Sequence, residues 1–485
     1  VISFNAIPLT LRTPGQYLEF DNSQAMRGLP AVAHKVLVIG MRLATGTINA
    51  NVPTKILSAS QAEQAFGRGS QLANMLTAFK VANRTLDVTA IAVDELGAGT
   101  AATGTITVTA GPSVAGTFAL YVGGVRLQVG VAAGASATVV AAAIVAAVNA
   151  ATQLPVTAAN AAGVVTLTAR HKGVEGNSID VRLNYYAGEM LPAGLTMNIA
   201  PLSNGAGNPN IADAIAAMTD VQYNTLAIGF NDSATLAEVT GLLAVRWGPL
   251  DQNEGHAFVG ASGSHAALIT LGDAQNSPHL TILGAGRSPT APWIWAAVAA
   301  AVDAAETDPA RPRQTLLLPG LLAPAEADRF DRDERNLLLY DGISTTVVDS
   351  GDLVRVERFI TTYQEEATGN PDESYLNIET VRTLAYIRYA VRTRIAARFP
   401  RHKLADDGTN YGPGQAVATP SVIRMELLHL FRELEEAGLV ENFDQFKADL
   451  IVERNASDRD RVDALIPPDL INQLRVFAGL VQFIK

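Results

Sequence analysis

The chain contains no cysteine in 485 residues. Disulfides, thiolate metal sites and cysteine nucleophiles are therefore excluded, and stability must come from packing or from assembly. A basic excess is also lacking: 36 Lys and Arg stand against 47 Asp and Glu, a formal charge of −11. Nucleic-acid binders carry the opposite balance, so direct nucleic-acid binding is not expected. Residues 1–14 have no basic region followed by an apolar run, so they do not read as a signal peptide. The most apolar stretch, Ala132 to Ala151, is mostly alanine and carries Ser136 and Asn149. It reads as a buried helix rather than a membrane span, and no membrane insertion is expected. The chain reads as soluble and made in a cytoplasm.

Catalytic and metal motifs are equally scarce. The seven histidines include no i, i+4 pair on a helix and no HExxH set, so no metal is expected. The Gly-rich stretches at 97–104 and 205–207 lack the Gly-Lys-Ser/Thr ending of a phosphate loop, and no cofactor is expected. Gly260-Ala261-Ser262-Gly263-Ser264-His265 resembles a serine-hydrolase turn, but Ser264 stands where the elbow needs its second glycine. A triad would draw on Ser262 or Ser264, His256 or His265, and Asp232 or Asp273. A strand-to-helix turn of small residues is the simpler reading, and no catalytic residue is assigned.

Hydrophobic residues make up 48% of the chain, enough to bury substantial cores. At roughly 150 residues per domain, two to four domains are expected. Pro8, Pro14 and Pro30 break any helix in the first thirty residues, which read as an extended arm with a strand at Tyr17, Leu18, Glu19 and Phe20. Strand, helix, strand follows over Val36–Ile39, a helix capped by Ser70, and Leu86–Val93. Residues 97–204 turn rich in Gly, Ala and Thr. Period-two alternation at Thr105–Thr109, strands at Val164–Thr168 and Ile179–Tyr185, and a hairpin about Gly123-Gly124 mark them as an inserted β-rich domain. The α/β rhythm resumes from Asn210: helices over Ile211–Met218, Ala234–Trp247 and Pro292–Glu306, with strands between. Strands at Ile343–Val348 and Leu353–Thr361, a helix over Tyr375–Phe399, a helix over Ser421–Glu436 and a strand over Lys447–Arg454 complete the chain. The expected domains are an arm (1–30), a middle α/β domain (31–96 with 205–325), the insertion (97–204), an inner α+β domain (326–473) and a linking strand (474–485).

Two features call for partners. Arg388, Arg392, Arg394 and Arg398 crowd one helix of an acidic chain. They predict either intramolecular pairing or a docking face for an acidic protein. The segment Leu474 to Ile484 has large apolar residues on both alternating faces. It is either a strand buried in its own domain or a strand added to a neighbour's sheet, the latter carried by Arg475, Val476, Phe477, Leu480, Val481 and Phe483.

Longer strings carry a resemblance. Glu357-Arg358-Phe359-Ile360-Thr361-Thr362-Tyr363-Gln364, Ser374-Tyr375-Leu376-Asn377, Phe399-Pro400-Arg401-His402-Lys403-Leu404-Ala405-Asp406-Asp407-Gly408 and Val452-Glu453-Arg454-Asn455 resemble tail sheath proteins of Mu-like phages. Pro467-Pro468-Asp469-Leu470, Ile2 to Pro8 and Glu19 to Ser23 fit the same family, whereas the insertion matches weakly. The resemblance implies a non-enzymatic subunit that polymerises into stacked sixfold helical rings around a tail tube and contracts to drive it through the host envelope. It implies further copies of the chain, the tube protein, and the baseplate and tail terminator proteins as partners. It also implies a place in the virion after assembly in the host cytoplasm. The middle domain of such proteins is likened to subtilisin in fold, without its catalysis. The alternatives are the sheath of a phage-derived bacteriocin or other contractile injection system and, from the Ser-His reading, a serine hydrolase.

Overall fold

The computed structural model describes residues 12–16, 29–30, 32–409, 411–412 and 414–484. The expected strand at Tyr17 to Phe20 lies outside them. The chain divides into two compact units.

The first unit comprises residues 34–307 and 313–378. Its opening strand, β1 (Val36–Met41), is buried along its whole length. Val36 and Val38 enter one hydrophobic core while Leu37, Ile39 and Met41 enter another. A parallel strand covered on both faces needs this continuous apolar run. After β2 (Thr54–Ile56) and α1 (Ala59–Phe66) comes α2 (Gln71–Ala82). The Ser70 side chain accepts a bond from the Ala73 N–H at its start, and Leu72, Met75, Leu76 and Phe79 are fully buried, as the helical spacing predicts. β3 (Val88–Val93) returns parallel to β1.

The insertion forms two antiparallel sheets. One holds β4 (Ala101–Ala110), β7 (Val156–Ala161), β8 (Val164–Lys172) and β10 (Thr196–Ser203); the other holds β5 (Gly116–Val122), β6 (Val125–Val131) and β9 (Val181–Leu183). The β5–β6 turn has φ of 56° at Gly123 and 85° at Gly124, the paired positive values that a two-residue hairpin loop requires. The strand expected over Ile179–Tyr185 is shorter because Asn184 turns left-handed, φ 51°, and ends it. The apolar alanine stretch is α3 (Ala137–Ala150), capped by Ser136 and packed on these sheets through Val140, Ile144 and Val148. Among the described residues no helix is long and apolar enough to cross a membrane. The insertion has no separate core, because its buried residues are continuous with those of α2 and of the main sheet.

The main sheet then resumes through α4 (Ala212–Ala217), β11 (Thr225–Ile228), α5 (Ser233–Trp247), β12 (His256–Ser262), α6 (His265–Asp273), β13 (Leu280–Gly286), α7 (Pro292–Ala305), α8 (Arg332–Tyr340), β14 (Ile343–Val348) and β15 (Val354–Arg358). Its order is β15-β14-β13-β12-β11-β1-β3-β2, with antiparallel edges at β15 and β2 and parallel pairing between. Numbered among themselves, the parallel strands run 2-1-3-4-5-6, a doubly wound order that reverses between β1 and β11. Residues of α2 and α7 bury one face, and residues of α4, α5, α6 and α8 the other. The boundary expected at 326 is therefore misplaced. β14 joins β13 in register, Ile282 opposite Ile343 and Leu283 opposite Ser344, so the first unit closes only at Ile378.

The second unit contains α9 (Ile378–Arg398), β16 (Lys403–Leu404), β17 (Val417–Ala418), α10 (Pro420–Glu436), β18 (Val440–Glu441), α11 (Phe443–Asp449), β19 (Ile451–Arg454), β20 (Val462–Leu465) and β21 (Asp469–Leu470). Thr419 caps α10, and Pro420 sits where its missing N–H costs nothing. Leu427, Leu430, Phe431 and Leu434 form its buried stripe, facing Ile387 and Ala390 of α9. The strand expected over Lys447–Arg454 is corrected: Lys447 to Asp449 belong to the last turn of α11, and only Ile451–Arg454 is extended. The reason is Phe446, whose ring stacks on Phe431 at 3.8 Å and holds that turn against α10.

Candidate functional site and assembly surfaces

Doubly wound sheets bind ligands beyond the carboxyl ends of their strands, where the strand order reverses. In this chain that crevice, between β1 and β11, is occupied by the chain itself. Gln71 Oε1 accepts from the Met41 N–H at 2.9 Å, and Gln71 Nε2 donates to the Gly229 carbonyl at 2.6 Å. A Cβ on Gly229 would lie 3.0 Å from Gln71 Cδ, so glycine permits the approach. The Gln71 N–H donates to His171 Nε2 at 3.1 Å, which places the ring proton on Nδ1. Burial holds the His171 pKa down at about 4, so the ring is neutral near pH 7. Burial also pushes the Glu175 carboxyl up to about 8, against the opposing bonds from the Asn208 amide and the Asn231 backbone. Asn208 Nδ2 bridges Glu175 Oε1 at 3.3 Å and Asp232 Oδ2 at 2.8 Å. His171 and Glu175 come from the insertion, which thus plugs the crevice. Sequence reasoning missed this cluster. Gln71, a polar residue just inside a helix cap, was its one local signal.

The hydrolase candidates hold structural bonds. Ser264 caps α6, accepting from the Ala267 N–H at 3.3 Å. His265 Nε2 bonds the Glu334 carbonyl at 2.9 Å, and His256 Nε2 bonds Thr281 Oγ1 at 2.8 Å. Asp232 caps α5 and takes bonds from Thr235 N and Oγ1 at 3.1 and 2.9 Å. Asp273 ends α6. These bonds pair the candidates with caps and ladders rather than with one another.

The basic helix α9 divides. Arg394 is only 8% exposed, with Nη2 2.5 Å from Glu433 and Nη1 3.7 Å from Glu426. Arg398 Nε lies 3.5 Å from Glu426. Arg394 and Arg398 thus face acids carried by α10. Arg388 is half-buried and Arg392 exposed.

The apolar segment is not buried in its own unit. Leu474, Val476, Phe477, Leu480, Val481, Phe483 and Ile484 are all between 75% and 101% exposed. Residues 471–484 form no ladder with any described residue. Arg475 alone turns inward, its Nη2 bonding Glu379 Oε2 at 2.7 Å. In the same unit β19 and β20 pair with no further strand among the described residues, Ile451 opposite Leu465, with both of those side chains exposed.

Comparison with known proteins identifies the family. Residues 204–362 match the phage tail sheath protein central domain, and residues 370–484 match the phage tail sheath C-terminal domain. The whole chain is 45% identical over 485 residues to the Mu-like prophage FluMu tail sheath protein of Haemophilus influenzae, covering 100% of this chain and 99% of that protein. The chain belongs to the phage tail sheath family. It is a tail sheath protein of the Mu-like prophage type, and the family's role is structural. Among solved structures, a sheath tail protein from Listeria innocua superposes with a TM-score of 0.50 at 14% identity, covering 93% of this chain and 95% of that one. At that identity the likeness concerns the fold, a mixed α/β multidomain architecture of the tail sheath kind.

Proposed function

We propose that copies of this chain polymerise into stacked sixfold rings around a tail tube, and that the rings rotate and compact to drive the tube through a host envelope. The sheath would be assembled in the host cytoplasm and carried in the virion, with baseplate and tail terminator proteins at its two ends. One observation carries the reading: the apolar side chains of residues 476–484 stay in solvent while α9, α10 and α11 of the second unit share a buried core. An exposed apolar strand is an aggregation liability unless another chain receives it. Strand addition fits, since backbone bonds give affinity and alternate side chains give register.

The receiving surface in this reading is the β19–β20 ribbon of a neighbouring copy. A two-stranded ribbon is marginal alone and gains from added strands. Val476, Phe477, Leu480, Val481 and Phe483, with Tyr17, Leu18, Glu19 and Phe20 of the arm, are the proposed linking residues. Arg392, which is exposed, and Arg388 are the proposed residues for contact with an acidic tube protein, with Arg394 and Arg398 set beside α10. The expected likeness of the first unit to subtilisin adds nothing to this reading, because its Ser, His and Asp candidates serve as caps and ladder partners.

The test is deletion of residues 476–485, with the purified product viewed by electron microscopy. A folded subunit that no longer forms striated hollow tubes is the expected result. Normal tubes from the truncated chain would sink the strand-link reading.

A further inference from the structure

The polypeptide leading into the apolar segment is tied down step by step. Leu470 pairs with Val440, the Ile471 N–H donates to the Leu439 carbonyl at 3.2 Å, and Gln473 Nε2 donates to the Ala310 carbonyl at 3.4 Å. The last tie is Arg475, whose side chain is 15% exposed and whose partner Glu379 is 0% exposed. Glu379 stands in the first turn of α9, where a carboxylate also meets the positive end of the helix dipole. Every described residue from Val476 onward is exposed. A buried ion pair thus sits at the boundary between packed and free chain. Burying a guanidinium against a carboxylate is costly for stability compared with apolar packing, so such a pair is better suited to fixing one geometry than to strengthening the fold.

We propose that the Arg475–Glu379 ion pair is a clamp that fixes where, and in which direction, the linking segment leaves its subunit. Arg475 is then a positioning residue of the subunit linkage rather than a strand residue. The inference rests on the strand-link reading above. The nine described residues beyond the clamp can span about 30 Å at roughly 3.3 Å each, so their root decides which neighbour they reach. A fixed root raises the effective concentration of the strand at its acceptor, since less of the volume searched is unproductive. Freeing the root back to Gln473 adds about 7 Å of slack and removes the preferred direction.

The experiment uses the full chain and three variants: R475A/E379A, which leaves neither partner as a lone buried charge, R475K, which keeps the charge, and the 476–485 deletion. Because the sequence has no cysteine, A478C supplies a unique site for a nitroxide label in the first two. In R475A/E379A the expected results are a folded subunit by circular dichroism, faster label motion in unassembled protein, and a critical concentration for tube assembly raised by about tenfold or more. R475K is expected within about threefold of the parent, because the ammonium still reaches the carboxylate though without the fork. Parent-like label motion and critical concentration in the double variant would overturn the clamp. If the deletion assembles like the parent, the strand-link reading fails and the clamp with it; if only the deletion is defective, the clamp alone fails. Should the double variant not fold, E379Q, which keeps the side-chain shape without its charge, is read by the same two measurements.

Discussion

Glu175 and His171, both buried and both from the insertion, titrate in opposite directions. The Glu175 carboxyl is raised to about 8 in the folded chain by burial, from 4.5. The unfolded chain therefore loses this proton first, and stability falls as pH rises from about 4.5 to 8. His171 is lowered to about 4 from 6.5, so its contribution is lost as pH falls from 6.5 toward 4. In E175Q the first slope should vanish: its melting temperature should match the parent near pH 4.5 and exceed it at pH 8 by about 3 °C or more, followed by thermal unfolding across that range. Asp303 and Arg313 form a second buried polar feature, 3.1 Å apart and essentially inaccessible. R313M should lower the stability of the first unit in urea unfolding, by up to about 3–5 kcal/mol, because buried Asp303 loses this cation. D303L/R313M should recover most of that loss. None of these residues announced itself in the sequence. Burial of a lone Glu or Arg is a consequence of chain segments distant in sequence, and a single polar letter carries no trace of it.

At the scale of elements, the helices and strands whose cause is local were legible. Ser70 before a 3.6-residue apolar stripe gives α2, and Gly123-Gly124 between alternating residues gives the β5–β6 hairpin. β7 and β10 were not: the first is alanine-rich, and the second contains Pro201. Their extended form comes from pairing with β8 and β4 rather than from propensity. α11 misled in another way, because a short amphipathic turn alternates like a strand until Phe446 is seen against Phe431. Contacts between elements also set a close tolerance. α7 crosses β12 so tightly that a Cβ on Gly260 would fall 2.0 Å from the Pro292 carbonyl oxygen. G260A should lower the stability of the first unit by about 1–3 kcal/mol or more in denaturant melts, since backbone must move to admit the methyl. On the second unit, R394E would set a third carboxylate beside Glu426 and Glu433. It is expected to lower that unit's melting temperature, whereas R388E/R392E should weaken co-sedimentation with the tube protein. Equal co-sedimentation would remove the docking role from α9.

At the scale of the whole molecule, an acidic chain with a net charge of −11 carries an apolar segment in solvent. Charge repulsion slows unwanted association of free subunits and is screened by salt. Limited chymotrypsin digestion provides a direct measure of the segment's state. Cleavage after Phe477 should come first in free subunits and leave the packed units intact. In assembled tubes the same bond should be protected, because a strand held in a neighbour's sheet no longer fits a protease. Undiminished cleavage in tubes would count against strand linkage.

The sequence by itself determined the family, through long strings at both ends, and it determined the α/β rhythm, the capped helices, the insertion's β character and the apolar segment. These are consequences of spacing and of side-chain chemistry within a few residues, which one strand of text preserves. Only the tertiary structure decided that the sheet runs on through β14 and β15 and its unit on to Ile378, that the insertion shares one core with the sheet and enters its crevice, that Arg394 faces α10, and that Arg475 turns inward to Glu379 while residues 476–484 stay in solvent. Each of those depends on which distant segment fills the space beside a residue, and burial, pairing and charge compensation are set by that neighbour rather than by the residue's own place in the chain.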